Sequence, residues 1–411
     1  MVRHRVEVYE SLGALNLVPV PELGFLMSEA FSKLRVKAIG FPGPDSGRDL
    51  GIDALKGFAI ILVVLGHCFE IADPGLFVPN ASFRHHIATL IYTFHMPLFI
   101  FLAGYVMSGK TVRVGKSFVR LMVPFFTWML LKFLFTVPHY STIGSYSWRT
   151  VWGMDNSPLW FLWTLFFCYL LLIAVQYVGK HWKYGEEAGF FVLWLLVNFI
   201  PSTRLGIPQL QYYFAFFAIG YLAAKYKSEL AGLKPAVKAA VLAASPVVLV
   251  VIFLAEYYSL RFVMVPLATK EVLKTPGLFF ARYAMGLLGI LTAFALLAVV
   301  KAVKARRVEA AFGWLGLVTL DIYVTHGLLI QLSFGTGWTK VASAFLIAML
   351  GGLALTYLLL RNWRVLSYPC LGKNYKQGPR YRLELLPAHG AVRARSVVDL
   401  GGSPDQVGGE D

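Results

Sequence analysis

GIDALKGFAIILVVLGHCFEIA, residues 51–72, is long enough to cross a bilayer as one helix, yet it carries Asp53, Lys56, His67 and Glu70. Ionisable side chains are costly in hydrocarbon, so each needs a partner, a wet cavity or a function. Lys56 and His67 stand eleven positions apart. At about 100° per residue that is three turns with roughly 20° left over, so both leave one helix face about 16 Å apart along the axis. Asp53 lies one turn from Lys56 and can pair with it. A cation near one membrane surface and a titratable imidazole deep above it have the outline of a site. The rest of the chain reads as the wall around it.

Of 411 residues, 57% are hydrophobic and only 15% charged, with mean hydropathy +0.64. That balance excludes an ordinary soluble domain and gives an all-α, polytopic transmembrane helical bundle in the cell (cytoplasmic) membrane. About ten spans follow, near 52–72, 86–108, 117–137, 157–179, 188–201, 208–225, 236–258, 277–300, 311–333 and 339–361. Basic loops (Lys110, Arg113 and Lys116; Lys225, Lys227, Lys234 and Lys238; Lys301, Lys304, Arg306 and Arg307) alternate with loops holding mostly one cation (Arg84, Arg149, Arg204, Lys340). The segment 261–274 is the exception. The positive-inside rule then puts both termini in the cytoplasm. The net charge of +16 is dispersed among these loops, which argues against nucleic acid as a partner. Cys68, Cys168 and Cys370 are scattered and make neither a disulfide framework nor a zinc site.

Three regions result. Residues 1–50 form a cytoplasmic extension without a signal peptide, in which 25–41 is a candidate amphipathic surface helix and Met27 an alternative start. Residues 51–362 are the transmembrane domain. Residues 363–411 are a polar tail, expected to be disordered.

With this topology, His67, His95 and His326 fall in the outer half of the bilayer at similar depth, with Glu70, Lys132, Glu256 and Arg282 in the same layer and Asp321 nearer the middle. Lys56, Lys110, Arg113, Lys116 and Arg120 lie on the cytoplasmic side. The pattern is a basic inner mouth leading to a titratable cluster that opens outward. The competing reading makes each polar residue a structural partner at a helix interface; it suits Lys132, Glu256 or Arg282 singly better than it suits three converging histidines. His85 and His86 are expected at the outer interface, solvated. No histidines are grouped at a metal-binding spacing, so no metal is expected.

DALKGFAIILVVLGH (53–67) followed by TFHMPLFIFLAGY (93–105) resembles the opening of the acyltransferase-3 family of integral-membrane O-acyltransferases, most like its fucose 4-O-acetylase-like branch. The resemblance continues through FVRLMVPFF, LWFLWTLFF, FFAIGY and GWLGLVTLDIYVTH, and so covers 52 to about 361. It implies transfer of an acyl group, commonly acetyl from acetyl-CoA, to a sugar hydroxyl on a cell-envelope or secreted glycan: polysaccharide O-acetylation. Acetyl-CoA would be a substrate, and no cofactor would be permanently bound. The family's Lys/Arg-x10-His motif falls on Lys56 and His67, with His67 in the catalytic position. Its second basic motif, Arg-x-x-Arg ahead of Pro, is only partly present as Lys116 and Arg120 before Pro124. Arg120 then takes the second donor-binding role, with Lys116 or Arg113 assisting.

The chemistry has a physical logic. A sugar hydroxyl is a poor nucleophile at neutral pH, and a positioned imidazole taking its proton contributes about 10²–10⁴-fold. The developing oxyanion needs donors, for which protonated His95, Tyr323 or backbone N–H groups are candidates. The Lys56–His67 rise matches an extended pantetheine arm whose phosphates rest on the basic mouth. Gly57, Gly66 and Gly104 allow close helix approach around such an arm, or serve ordinary helix packing. Trp160 and Trp163 are aromatic-belt residues or a sugar platform. Tyr323 and His326, three apart on one face, contact the acceptor or support His67. Asp53 supports Lys56. Two other functions compete: a transporter using the buried polar cluster as a relay, and a scaffold that kept the fold without the reaction.

Overall fold

The computed structural model describes residues 48–73, 83–136, 159–201, 205–257 and 276–373, and among these every regular element is helical. The expectations for 1–47, for the tail beyond 373, for Arg149, Arg204 and 261–274, and for the side chain of Glu256 lie outside the described residues.

The helices are α1 (Leu50–Ala72), α2 (Phe83–Met107), α3 (Val114–Thr136), α4 (Trp160–Gly179), α5 (Gly185–Asn198), α6 (Ile207–Lys225), the short α7 (Lys227–Gly232), α8 (Pro235–Tyr257), α9 (Pro276–Ala302), α10 (Arg306–Leu317), α11 (Thr319–Leu329), α12 (Gly337–Leu360, with two π-helical turns) and α13 (Arg364–Leu371). The start of α1 is set by Asp49, whose carboxylate accepts from the backbone N–H groups of Gly51 (2.9 Å) and Ile52 (3.3 Å). Those are two donors that a helix start otherwise leaves unpaired.

Seven of the helices (α1, α2, α3, α4, α8, α9 and α12) are long and apolar enough to cross a membrane, which makes this a multi-pass membrane protein. The ninth expected span, 311–333, is two helices: α10 and the α11 segment meet at a bend of 72°, and counting them as one span gives eight. The fifth and sixth expected spans are helical as α5 and α6. At 14 residues α5 reaches only about 21 Å, at about 1.5 Å per residue. α6 is largely interior, with Phe214, Phe216 and Phe217 fully buried. A helix wrapped in protein does not need a lipid-compatible surface, and α6 accordingly carries Gln209 and Gln211, both buried.

Glycine governs the two closest packings. α1 lies on α10, where a Cβ on Gly57 would sit 1.9 Å from the Phe312 carbonyl oxygen and one on Gly316 1.9 Å from that of Asp53. α2 lies on α6 in the same reciprocal way, Gly104 facing the Phe217 carbonyl at 2.1 Å and Gly220 that of Phe101 at 2.0 Å. Backbones approach so closely only where no side chain intervenes. Gly57 and Gly104 are therefore helix-packing residues, while Gly66 faces the Tyr92 ring.

Gly57→Ala is expected to lower the melting temperature in detergent by several degrees, as overpacking by one methyl group costs about 1–3 kcal/mol. Gly115→Ala, where nothing lies within 4 Å, should leave it unchanged. Equal behaviour of the two variants would contradict the packing.

Candidate functional site

Polar residues gather around both ends of the Lys56–His67 segment of α1. At the Lys56 end, the nearly buried Asp53 carboxylate accepts from Arg48 Nε (2.9 Å) and Nη2 (3.1 Å) and from Lys56 Nζ (3.2 Å). Arg120 on α3 is near enough to act electrostatically on Lys56. Arg113 and Lys116 are exposed, about two turns and one turn before it. Asp321, fully buried in the first turn of α11, is held by Arg361 just beyond α12, through Nε at 3.1 Å and through Nη2 on the same oxygen. The Arg361 guanidinium also lies 4.3 Å over the Tyr357 ring. An acid at a helix start is favoured by the helix dipole, and the guanidinium compensates its burial.

At the other end, His67 Nδ1 pairs with Glu70 Oε2 at 3.1 Å, and the Tyr92 hydroxyl donates to the same oxygen at 3.0 Å. A carboxylate only accepts, so Nδ1 carries the proton and Nε2 is the free base nitrogen. The His326 ring packs tilted against that of His67, at 5.2 Å between ring centroids. His326 Nδ1 donates to the Tyr323 carbonyl at 2.5 Å, and its buried Nε2 has no protein partner among the described residues. His95 Nδ1 donates to the Ile91 carbonyl at 2.7 Å, and its ring meets that of Tyr92 edge-on at 5.0 Å. Val63, His67, Tyr92, His95, Met96, Trp160, Tyr213 and Tyr323 line one narrow cleft. Lys132 acts on Glu70 from α3.

The three histidines thus meet at one place. As a neutral ring, His95 has committed its donor nitrogen to Ile91, so Nε2 accepts; it offers no donor to an oxyanion in that state. Trp160 faces the cleft and stacks on Tyr213 at 4.8 Å, whereas Trp163 Nε1 is spent on the Leu205 carbonyl at 2.9 Å. Arg282 lies 4.6 Å over the Tyr212 ring. His85 is buried, not solvated; only its neighbour His86 is partly exposed. Among the described residues no group of three His, Cys, Asp or Glu is placed to hold a metal ion.

Sequence reasoning passed over Tyr92, Tyr213, Arg48 and Arg361, and placed Glu70 only in a layer. Glu70 was findable, because a carboxylate three residues after His67 shares its face. Tyr213 was not: its position rests on α6 crossing α2. Its hydroxyl makes no protein hydrogen bond among the described residues.

Residues 49–361 match the acyltransferase-3 domain model (Acyl_transf_3, "Acyltransferase domain"). The chain belongs to this family, and its helical body is an acyltransferase domain. It is 30% identical over 200 residues to "Nodulation protein NolL" of Sinorhizobium fredii (strain NBRC 101917 / NGR234), covering 45% of this chain and 51% of that one. It is 27% identical over 196 residues to "Nodulation protein NolL" of Mesorhizobium japonicum (strain LMG 29417 / CECT 9101 / MAFF 303099), covering 45% and 50%. The match spans about half the length of these curated relatives. No solved structure matches the chain.

Arg361→Ala is expected to destabilise the detergent-solubilised protein by about 3 kcal/mol, because it leaves the Asp321 carboxylate buried without its guanidinium. Adding Asp321→Asn should recover more than half of the loss. Additive losses in the double variant would contradict the pairing.

Proposed function

We propose that this protein is a membrane O-acyltransferase that moves an acyl group, acetyl by family habit, from acyl-CoA on the cytoplasmic side to a hydroxyl of a cell-envelope or secreted glycan. The observation that carries this reading is the Glu70–His67 pair. With Nδ1–H held by the carboxylate, Nε2 is left as a base beside a cleft lined by Trp160, Tyr213 and Tyr323. Nε2 takes the proton from the acceptor hydroxyl as its oxygen attacks the thioester carbonyl carbon. The C–S bond then breaks, and the imidazolium returns the proton to the departing thiolate. Glu70 orients the ring and stabilises its cationic form, and Tyr92 holds Glu70.

Tyr213, with an uncommitted hydroxyl at the cleft, is the favoured oxyanion donor in place of His95; removing one such donor typically costs about 10²–10³ in kcat. The indole of Trp160 offers an apolar wall for a sugar. Lys56, Arg120 and, more peripherally, Arg113 and Lys116 suit the donor's phosphates. In this reading the bilayer holds the two substrates apart, and only the acyl group crosses between them.

His67→Ala should reduce acetyl transfer below about a hundredth of wild type with an unchanged melting temperature, the minimum expected for a general base. Lys56→Ala and Arg120→Ala should raise the KM for acetyl-CoA while kcat is kept. Retention of a tenth of the activity in His67→Ala would remove it as the base.

Sidedness has its own check. Cys68, Cys168 and Cys370 are buried, so introduced cysteines can be labelled against a low background. In intact cells an impermeant thiol reagent should label a cysteine at Thr339, and should reach one at Lys234 only after the membrane is opened. The reverse pattern would invert the proposed orientation.

A further inference from the structure

The chain continues past its acyltransferase domain, and the first residues beyond it turn back onto the Lys56 end. α13 packs against α3, and the Trp128 indole donates to the Cys370 carbonyl at 2.9 Å. α13 ends at Gly372, in the left-handed conformation (φ +61°). A Cβ there would lie 2.5 Å from the Val119 carbonyl oxygen and 2.7 Å from the Arg120 Cα, so this glycine lies directly on the backbone of the second basic motif. The next residue is Lys373, half-buried. Its neighbours are Arg48, Arg120 and Arg361, with Asp321 as the opposing charge. Burial, reinforced by those three cations, lowers the pKa of its ammonium group.

Among the described residues, Arg48, Lys56, Arg120, Arg361 and Lys373 therefore converge around Asp53 and Asp321. Cations brought together from four separate segments make a surface that suits the phosphates of an anionic ligand. We propose that the strap 364–373 completes the acyl-CoA site, with Lys373 binding the 3′-phosphate of the donor's nucleotide alongside Arg120. This rests on the acyl-CoA reading above and adds to it a residue outside the acyltransferase domain. The strap reaches the cluster only because Gly372 allows the chain to turn against α3.

The same chemistry would suit an anionic lipid headgroup, so the test separates the two. In proteoliposomes, Lys373→Ala should raise the KM for acetyl-CoA about tenfold with kcat unchanged, the scale of one charge-assisted hydrogen bond. Lys373→Arg should restore it. Against acetyl-3′-dephospho-CoA the wild type and Lys373→Ala should differ far less. An effect that is equal for both donors, or that appears only in bilayers containing phosphatidylglycerol and vanishes in pure phosphatidylcholine, overturns the assignment.

A second measurement needs no variant. CoA should protect Lys373 of the wild-type protein from amine acylation, read by mass spectrometry, and should leave Lys234 reactive. If CoA binds and transfer proceeds while Lys373 stays reactive, the strap has no part in the site and the acyl-CoA reading stands. If the wild type neither binds CoA nor consumes acetyl-CoA, both fall.

Discussion

The reciprocal glycine contact between α1 and α10 sets the geometry on which the site depends. Gly57 faces a carbonyl of α10 and Gly316 a carbonyl of α1, so the two backbones touch with no side chain between them. That contact holds α10 against the Lys56 half of α1. The chain then bends by 72° and continues as α11. The bend brings Asp321 at the start of α11 to Arg361, and about two turns of α11 carry His326 to its place against His67. A wider crossing would separate the histidines and the ion pair together, because both are carried by the same short helix.

The site that results is divided by charge. Among the described residues, cations gather at the Lys56 end around Asp53 and Asp321. Aromatic and imidazole groups surround the His67 end, with Lys132 close by and Glu70 half-exposed and committed to His67 and Tyr92. Such a division fits a substrate with one polyanionic end and one reactive uncharged end.

Much of this was legible in the sequence, for identifiable reasons. The helical class follows from composition and span length. The shared face of Lys56 and His67 follows from helical periodicity, and the meeting of His67, His95 and His326 from depth counted along three separate spans. What stayed hidden depended on how helices cross. The Asp321–Arg361 pair joins positions forty residues apart, and the bend between α10 and α11 contains no proline to announce it. Trp160 and Trp163 read alike as aromatic-belt residues, yet one faces the cleft and the other caps a loop carbonyl. The tautomers of His95 and His326 are set by backbone carbonyls one turn away, which periodicity alone does not assign.

The central claim is that one helix carries the donor's charged end at Lys56 and its reactive end at His67. The most direct measurement is an experimental structure with a thioether analogue of acetyl-CoA bound. The account predicts phosphates on Lys56 and Arg120 and the carbon next to sulfur within about 4 Å of His67 Nε2, the separation of a near-attack arrangement. A nucleotide seated at the His67 end, or a thioether more than two helical turns from that nitrogen, would contradict it.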